Sequence, residues 1–195
     1  MYEVELKVRA DHEAARDRLE ELGATSLGRV RQVDTYYDAP HRDFAETDEA
    51  LRLREETVES GTGDRGTGRD GATETRLTYK GPLVEQESKT REEAETAVAD
   101  PDAMEEVLDG LGFQPAATVE KERERYRVEG YTVTLDIVDG LGEFVEVETD
   151  VGSEPEVKAA REGAAAILER LGLDPDAGIR TSYLGLLLEA GETAE

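Results

Sequence analysis

The sequence predicts an α+β fold, a closed antiparallel barrel of about eight strands with helices packed on its outside, and three observations carry that expectation. Apolar residues recur with period 2 along much of the chain. In Tyr2-Glu3-Val4-Glu5-Leu6-Lys7-Val8-Arg9, Val4, Leu6 and Val8 fall on one strand face and Glu3, Glu5, Lys7 and Arg9 on the other. The strand-like segments follow one another across turn residues, as hairpins do, without the long crossovers that parallel strands need. The polar faces are also sorted by charge: in Glu120-Lys121-Glu122-Arg123-Glu124-Arg125-Tyr126-Arg127 every cation lies on one face and every anion on the other.

After the first strand, Asp11 has the position of an N-cap for a helix to about Leu22, with Gly23 as its stop. A long strand is expected from about Ser26 to Asp38, ended by Ala39-Pro40, and alternation resumes at Ala50-Leu51-Arg52-Leu53-Arg54-Glu55. Residues 60 to 72 are rich in glycine and read as a flexible hairpin loop. They lack the GK[ST] ending of a phosphate-binding P-loop. Strands are expected at about Thr73 to Lys80 and Val84 to Arg91, joined across Gly81-Pro82. Asp100 then caps a helix from Pro101 to Leu111. Three further strands, Ala117 to Val128, Tyr131 to Val138 and Phe144 to Thr149, are separated by Gly130 and by Gly140-Leu141-Gly142. Pro155 opens an Ala-rich helix to Leu171, and a short helix is expected from Thr181 to Leu188.

A length of 195 residues fits a single domain over the whole chain, with enough surface to bury a real core. Asp and Glu number 48 against 23 Lys and Arg, a formal charge of −25, which argues against nucleic acid and anionic membranes as partners. Only five of the cations are lysine. An acidic, lysine-poor surface is that of proteins from extreme halophiles, where molar salt shortens the Debye length to about 3 Å and screens self-repulsion. The absence of cysteine excludes disulfides and thiolate chemistry. The start has no signal-peptide pattern and no run is long enough to span a bilayer, so a cytoplasmic protein, monomer or homodimer, is expected. His12 at a helix start and His41 in a turn read as solvated side chains.

An amphipathic sheet with its charged face in water would produce the same alternation. A merely solvated face in this chain, however, should be as acidic as the rest. If the polar faces instead point into a closed barrel, the wall carries twelve cations (Lys7, Arg9, Arg52, Arg54, Arg76, Lys80, Lys89, Arg91, Lys121, Arg123, Arg125 and Arg127). Against them stand six anions (Glu3, Glu5, Glu87, Asp136, Glu146 and Glu148), a net charge of +6. Clustered carboxylates in a low-dielectric interior are costly unless cations lie between them, and oxygen ligands of this kind suit Mg²⁺ or Mn²⁺. A divalent ion beside a lining of Arg and Lys is suited to holding a triphosphate.

Glu3-Val4-Glu5-Leu6-Lys7 matches the ExExK signature of the CYTH superfamily, the triphosphate tunnel metalloenzymes. Further segments resemble that family in the same order: Asp34-Thr35-Tyr36-Tyr37-Asp38, Leu51-Arg52-Leu53-Arg54, Tyr79-Lys80-Gly81-Pro82, Glu120-Lys121-Glu122-Arg123, Leu135-Asp136, Phe144-Val145-Glu146-Val147-Glu148 and Arg180-Thr181-Ser182-Tyr183. Within it, Gly140-Leu141-Gly142-Glu143-Phe144 and the terminal Arg-x-Ser-Tyr most resemble class IV adenylyl cyclases. The resemblance implies Glu3, Glu5, Asp136, Glu146 and Glu148 as ligands for two Mg²⁺ or Mn²⁺ ions. Some cyclases of this class lack an acid at the position of Glu148, whereas triphosphatases tend to keep it. It also implies Lys7, Arg52, Arg54, Lys80, Lys121, Arg123 and Arg180 as phosphate contacts, with Lys7, Arg54, Lys121 and Arg123 as the catalytic cations. Lys89 and Arg125, from the same charged faces, complete the expected substrate-binding set. The implied activity is conversion of ATP to cyclic AMP and pyrophosphate. The alternatives are hydrolysis of an inorganic, thiamine or nucleoside triphosphate, and non-catalytic binding of nucleotide or polyphosphate.

Overall fold

The computed structural model describes residues 1–61, 70–84 and 90–192. Eight strands form one closed barrel: β1 (Tyr2–Arg9), β2 (Thr25–Asp38), β3 (Ala50–Gly61), β4 (Thr73–Leu83), β5 (Arg91–Val98), β6 (Gln114–Val128), β7 (Tyr131–Val138) and β8 (Gly142–Val151), in the order β1-β5-β4-β3-β2-β6-β7-β8. Every pairing is antiparallel. Five helices join them: α1 (His12–Glu21), α2 (Phe44–Thr47), α3 (Pro101–Gly110), α4 (Glu154–Arg170) and α5 (Tyr183–Glu192). Among the described residues none is long and apolar enough to cross a membrane.

The barrel is apolar outside and polar inside, as the alternation required. Leu6, Val8, Val133, Leu135, Val145 and Val147 project outward into a core with Ala15 and Leu19 of α1 and Ala164, Ile167 and Leu168 of α4. Each Val, Leu or Ile side chain fully buried there contributes about 1.5–3 kcal/mol, so the helices on the outside hold the strands that carry the charged interior. Asp11 caps α1 as expected, its side chain accepting from the Glu13 and Ala14 amides. Gly23 takes φ 69° where that helix stops, a left-handed conformation that favours glycine. Tyr37, Leu51 and Leu53 pack with Phe44 of α2 and Leu108 of α3. Val119, Val138 and Phe144 pack with Tyr183 of α5.

The barrel is joined unevenly at β1. Against β8 this strand pairs along its whole length, from Tyr2 opposite Val151 to Arg9 opposite Phe144. Against β5, among the described residues, it pairs only Tyr2 with Glu92 and Glu3 with Arg91. The Lys80 ammonium reinforces that seam by bridging Glu3 and Glu93, the latter at 3.0 Å.

Several expectations are corrected. Gly81-Pro82 is not a turn: β4 continues to Leu83 through a register irregularity between Lys80 and Leu83, which accommodates a proline that cannot donate to the ladder. The following strand is Arg91–Val98, not Val84 to Arg91, and residues 85–89 lie outside the described residues. The sequence Arg-Glu-Glu-Ala-Glu-Thr-Ala-Val hides this strand because Ala94 and Thr96 are exposed, so the usual apolar alternation is missing. The one-turn α2 and a 3₁₀ turn at Pro175–Ala177 are additional. His12 is not solvated: it is 2% exposed, with Nε2 2.9 Å from the Phe144 carbonyl oxygen. Most of the Gly-rich loop, residues 62–69, lies outside the described residues.

Candidate functional site

The barrel encloses a cavity of about 510 Å³. Adjacent strands deliver their inward residues to it in register: Arg123 of β6 lies opposite Asp136 of β7, and Asp34 of β2 opposite Arg54 of β3. Lys7, Arg52, Arg54, Lys80, Lys121, Arg123 and Arg125, from the expected set, all line the cavity. Arg180, exposed in the loop before α5, is not among its lining residues, and Lys89 lies outside the described residues.

Three buried carboxylates organise these cations. Asp34, completely buried, accepts from Arg54 Nε at 2.5 Å and from Nη2 at 2.6 Å, and lies 3.7 Å from both Arg52 Nη1 and Lys121 Nζ. Asp136 holds Arg123 in the same way, through Nε at 2.7 Å and Nη2 at 2.5 Å, and accepts from the Tyr183 hydroxyl at 3.0 Å. In both pairs the aspartate occupies Nε and Nη2, which leaves Nη1 outside the bidentate contact. Glu56 accepts from Arg125 Nη2 at 3.0 Å. Arg123 Nη2 also donates to Glu146. The Tyr183 ring lies beneath two ammonium groups, with its centroid 4.3 Å from Lys7 Nζ and 5.1 Å from Lys121 Nζ.

Of the five expected metal ligands, Glu3, Glu5 and Glu148 come together, each offering a carboxylate oxygen within 4.8 Å of the others. Glu146 and Asp136 lie in the same interior but are engaged with Arg123. Lys80 holds Glu3 and Lys7 lies 3.9 Å from Glu5, whereas burial, followed by the charges of Glu3, Glu146 and Glu5, pushes the Glu148 carboxyl up to about 8 against the pull of Arg123. Three crowded oxygen ligands, one of them kept protonated at neutral pH by burial and its neighbours, fit a hard divalent cation such as Mg²⁺ or Mn²⁺, which would take the place of that proton.

The expected +6 wall is corrected by the lining itself. Among the described residues nine Lys and Arg side chains line the cavity, and nine Asp and Glu side chains face them. The carboxylates outside the expected wall include Glu93 and Glu95 from β5, and Asp48 and Glu49 beside α2. Arg9 leaves the interior, lying over the Phe144 ring at 4.6 Å and donating to the Leu141 carbonyl. Arg76 is buried but is not a lining residue, and pairs with Glu74 and Glu95. Asp34, Glu56, Gln32 and Tyr183 were absent from the expected site. Asp34 and Tyr183 stand within the family-like segments, which was the one signal for them. Gln32 and Glu56 follow only from inward parity with Asp34 and Arg54.

Electrostatics separates the cations. Burial opposes the charge of Arg52, yet Asp34 and neighbouring anions keep its guanidinium above the usual range. Lys121 goes the other way: burial first, then Arg123 and Arg54, bring its ammonium down to about 7. A polyanion beside Lys121 restores the proton, so triphosphate binding should take up nearly one proton at pH 8 and little at pH 6. Affinity should fall up to about tenfold per pH unit as the pH rises above 7. Calorimetry without metal, in buffers of different ionisation enthalpy, measures the uptake, and Lys121→Arg should remove the Lys121 share and leave only what Glu148 takes up.

A closed eight-stranded antiparallel barrel whose interior is packed with arginine, lysine and carboxylate defines a protein of the triphosphate-tunnel class. Residues 1–183 match the CYTH domain, and the chain belongs to that family. It is 37% identical to the Methanocaldococcus jannaschii protein named "Putative adenylate cyclase MJ0240", over 95% of this chain and 98% of that one. The solved structure of the PH1819 protein of Pyrococcus horikoshii is similar at 42% identity, with a TM-score of 0.84 over 96% of this chain and 99% of that one. A Hippeastrum protein described as a "putative adenylyl cyclase" with a dominant triphosphatase activity shares the fold at 22% identity, with a TM-score of 0.56 over 88% of each chain.

Proposed function

We propose that this protein is a metal-dependent adenylyl cyclase that converts ATP to cyclic AMP and pyrophosphate inside the barrel. The observation that carries the reading is the juxtaposition of the Glu3, Glu5 and Glu148 carboxylates with buried Arg52, Arg54, Lys121 and Arg123 in one 510 Å³ cavity. That volume is in the range of small-molecule sites. The name of the Methanocaldococcus relative, "Putative adenylate cyclase", supports the choice of reaction.

Glu3, Glu5 and Glu148 would hold the divalent ion, with Glu146 nearby. When bound, Mg²⁺ or Mn²⁺ supplies positive charge that acidifies a hydroxyl and neutralises phosphate oxygens. Arg52, Arg54 and Lys121, gathered around Asp34, bind the phosphate chain and hold it against rotation. In the reaction the ribose 3′-oxygen forms a bond to the α-phosphorus, and the bond from that phosphorus to the α,β-bridging oxygen breaks. The 3′-hydroxyl proton passes to solvent, and the departing pyrophosphate takes the electron pair. Cations already held in place by Asp34 and Asp136 stabilise that leaving charge with little reorganisation.

A second reading, hydrolysis of a triphosphate by water at the γ-phosphorus, is favoured by one observation: Glu148 is present and belongs to the carboxylate trio. Product analysis separates the two. With Mg²⁺ or Mn²⁺ in molar KCl, ATP should yield cyclic AMP and pyrophosphate, and 3′-deoxy-ATP should bind but give no cyclic product. Orthophosphate from both nucleotides, without cyclic AMP, would replace the first reading by the second.

A further inference from the structure

We propose that Gln32 reads the nucleoside end of the ligand and makes the tunnel selective for nucleoside triphosphates over inorganic triphosphate. This inference rests on the triphosphate reading above. Gln32 is 1% exposed and lines the cavity. Its Nε2 donates to Glu56 at 2.7 Å, and Glu56 is itself anchored by Arg125 Nη2 at 3.0 Å. An ionised carboxylate can only accept, so this contact fixes which way the amide faces. Its other end, Oε1, is buried and has no hydrogen-bond partner among the described residues.

The donor directly opposite on the neighbouring strand is committed elsewhere. Lys121 stands opposite Gln32 in the β2–β6 register, but its ammonium lies 3.7 Å from Asp34 and over the Tyr183 ring. An orphaned buried acceptor is unfavourable until a donor reaches it. A phosphate oxygen cannot serve, because two lone pairs would face each other. The inward positions along β2 therefore divide the ligand: cations gathered at Asp34 take phosphate, while Gln32, two residues away, takes an N–H or O–H group. Nucleoside triphosphates carry such donors on the ribose and on the base. A fully ionised inorganic triphosphate carries none.

The test is calorimetric titration of the chain with ATP and with inorganic triphosphate, at pH 9, where the latter has lost nearly all of its P–OH protons, and with EDTA so that neither is turned over. Gln32→Leu, and the volume-matched Gln32→Met, should weaken ATP about tenfold and leave inorganic triphosphate unchanged or tighter. On the wild-type protein, 2′-deoxy-ATP, 3′-deoxy-ATP and purine riboside triphosphate identify the donor, because the analogue lacking it should bind about tenfold more weakly than ATP. Equal losses for ATP and inorganic triphosphate in the variants would overturn the proposal. So would wild-type affinities indifferent to all three deletions, a result that does not depend on the variants folding. Wild-type protein that bound neither triphosphate would overturn the tunnel reading and this assignment together. Normal inorganic triphosphate binding with ATP unaffected by the substitutions would remove the Gln32 assignment alone.

Discussion

Asp34→Asn should cost the ligand-free protein about 3–5 kcal/mol, because it removes the shared counter-charge of three cations buried with it. Arg54 loses its charged bidentate partner, and Arg52 and protonated Lys121 are left facing it inside the barrel. For a chain of this size that corresponds to a fall in melting temperature of roughly 10 °C. The acid limb should change too. Burial raises the Asp34 carboxyl, but Arg54, Lys121 and Arg52 together bring it far below the usual carboxylate range. A group depressed in the folded state stabilises above its unfolded pKa, about 3.9, and that contribution drains away as the pH falls toward the folded value. Thermal melts from pH 7 down to pH 2 should therefore show wild type and variant converging in acid. Bound triphosphate should restore part of the loss at neutral pH, since it returns negative charge to the same cations. A variant as stable as wild type at pH 7 would mean that Asp34 does not organise them.

Glu5→Gln should have the opposite profile, with turnover lost and stability kept. Glu5 is 9% exposed, with its carboxylate in the trio with Glu3 and Glu148. Its nearest cation, Lys7, is 3.9 Å away, so little is lost there on neutralisation. Removing one of three crowded carboxylates relieves repulsion while weakening the divalent ion's hold. We expect turnover to fall on the order of a thousandfold, the ~4 kcal/mol that a misplaced metal takes from the transition state, with an unchanged or higher melting temperature. Wild-type turnover in this variant would take Glu5 out of the ion's coordination.

Much of this fold was legible because an inside-out barrel writes its pattern twice. Val133, Leu135, Val145 and Val147 mark the helix-covered outside, and Lys121, Arg123, Arg125, Glu146 and Glu148 mark the inside. Period 2 separates them without any knowledge of strand order. The family-like segments were legible for a different reason, as short runs in a fixed order. What escaped the reading lacked one or other signal. Strand β5 has an exposed outer face at Ala94 and Thr96, so Glu93 and Glu95 could not be counted in the wall, and the cavity's charge balance was misjudged. The Gly81-Pro82 pair has turn chemistry but lies in a strand, because a register irregularity in the β4–β5 ladder makes room for it. His12 looked solvated at its helix start, since nothing local revealed that α1 presses it against the Phe144 carbonyl. Asp34 is the instructive case within the site. Its residue type and parity suited the wall, yet a carboxylate that serves by holding Arg54, Arg52 and Lys121 cannot be told from sequence apart from one that holds a metal.

The most direct test is a crystal structure with Mn²⁺ and a non-hydrolysable ATP analogue, located by the anomalous signal of the metal. Manganese should lie about 2.1–2.3 Å from carboxylate oxygens of Glu3, Glu5 and Glu148, with the phosphate chain reaching Arg52, Arg54 and Lys121 inside the barrel. Manganese away from these carboxylates, or a nucleotide bound on the outer surface with the interior ion pairs unchanged, would contradict the account.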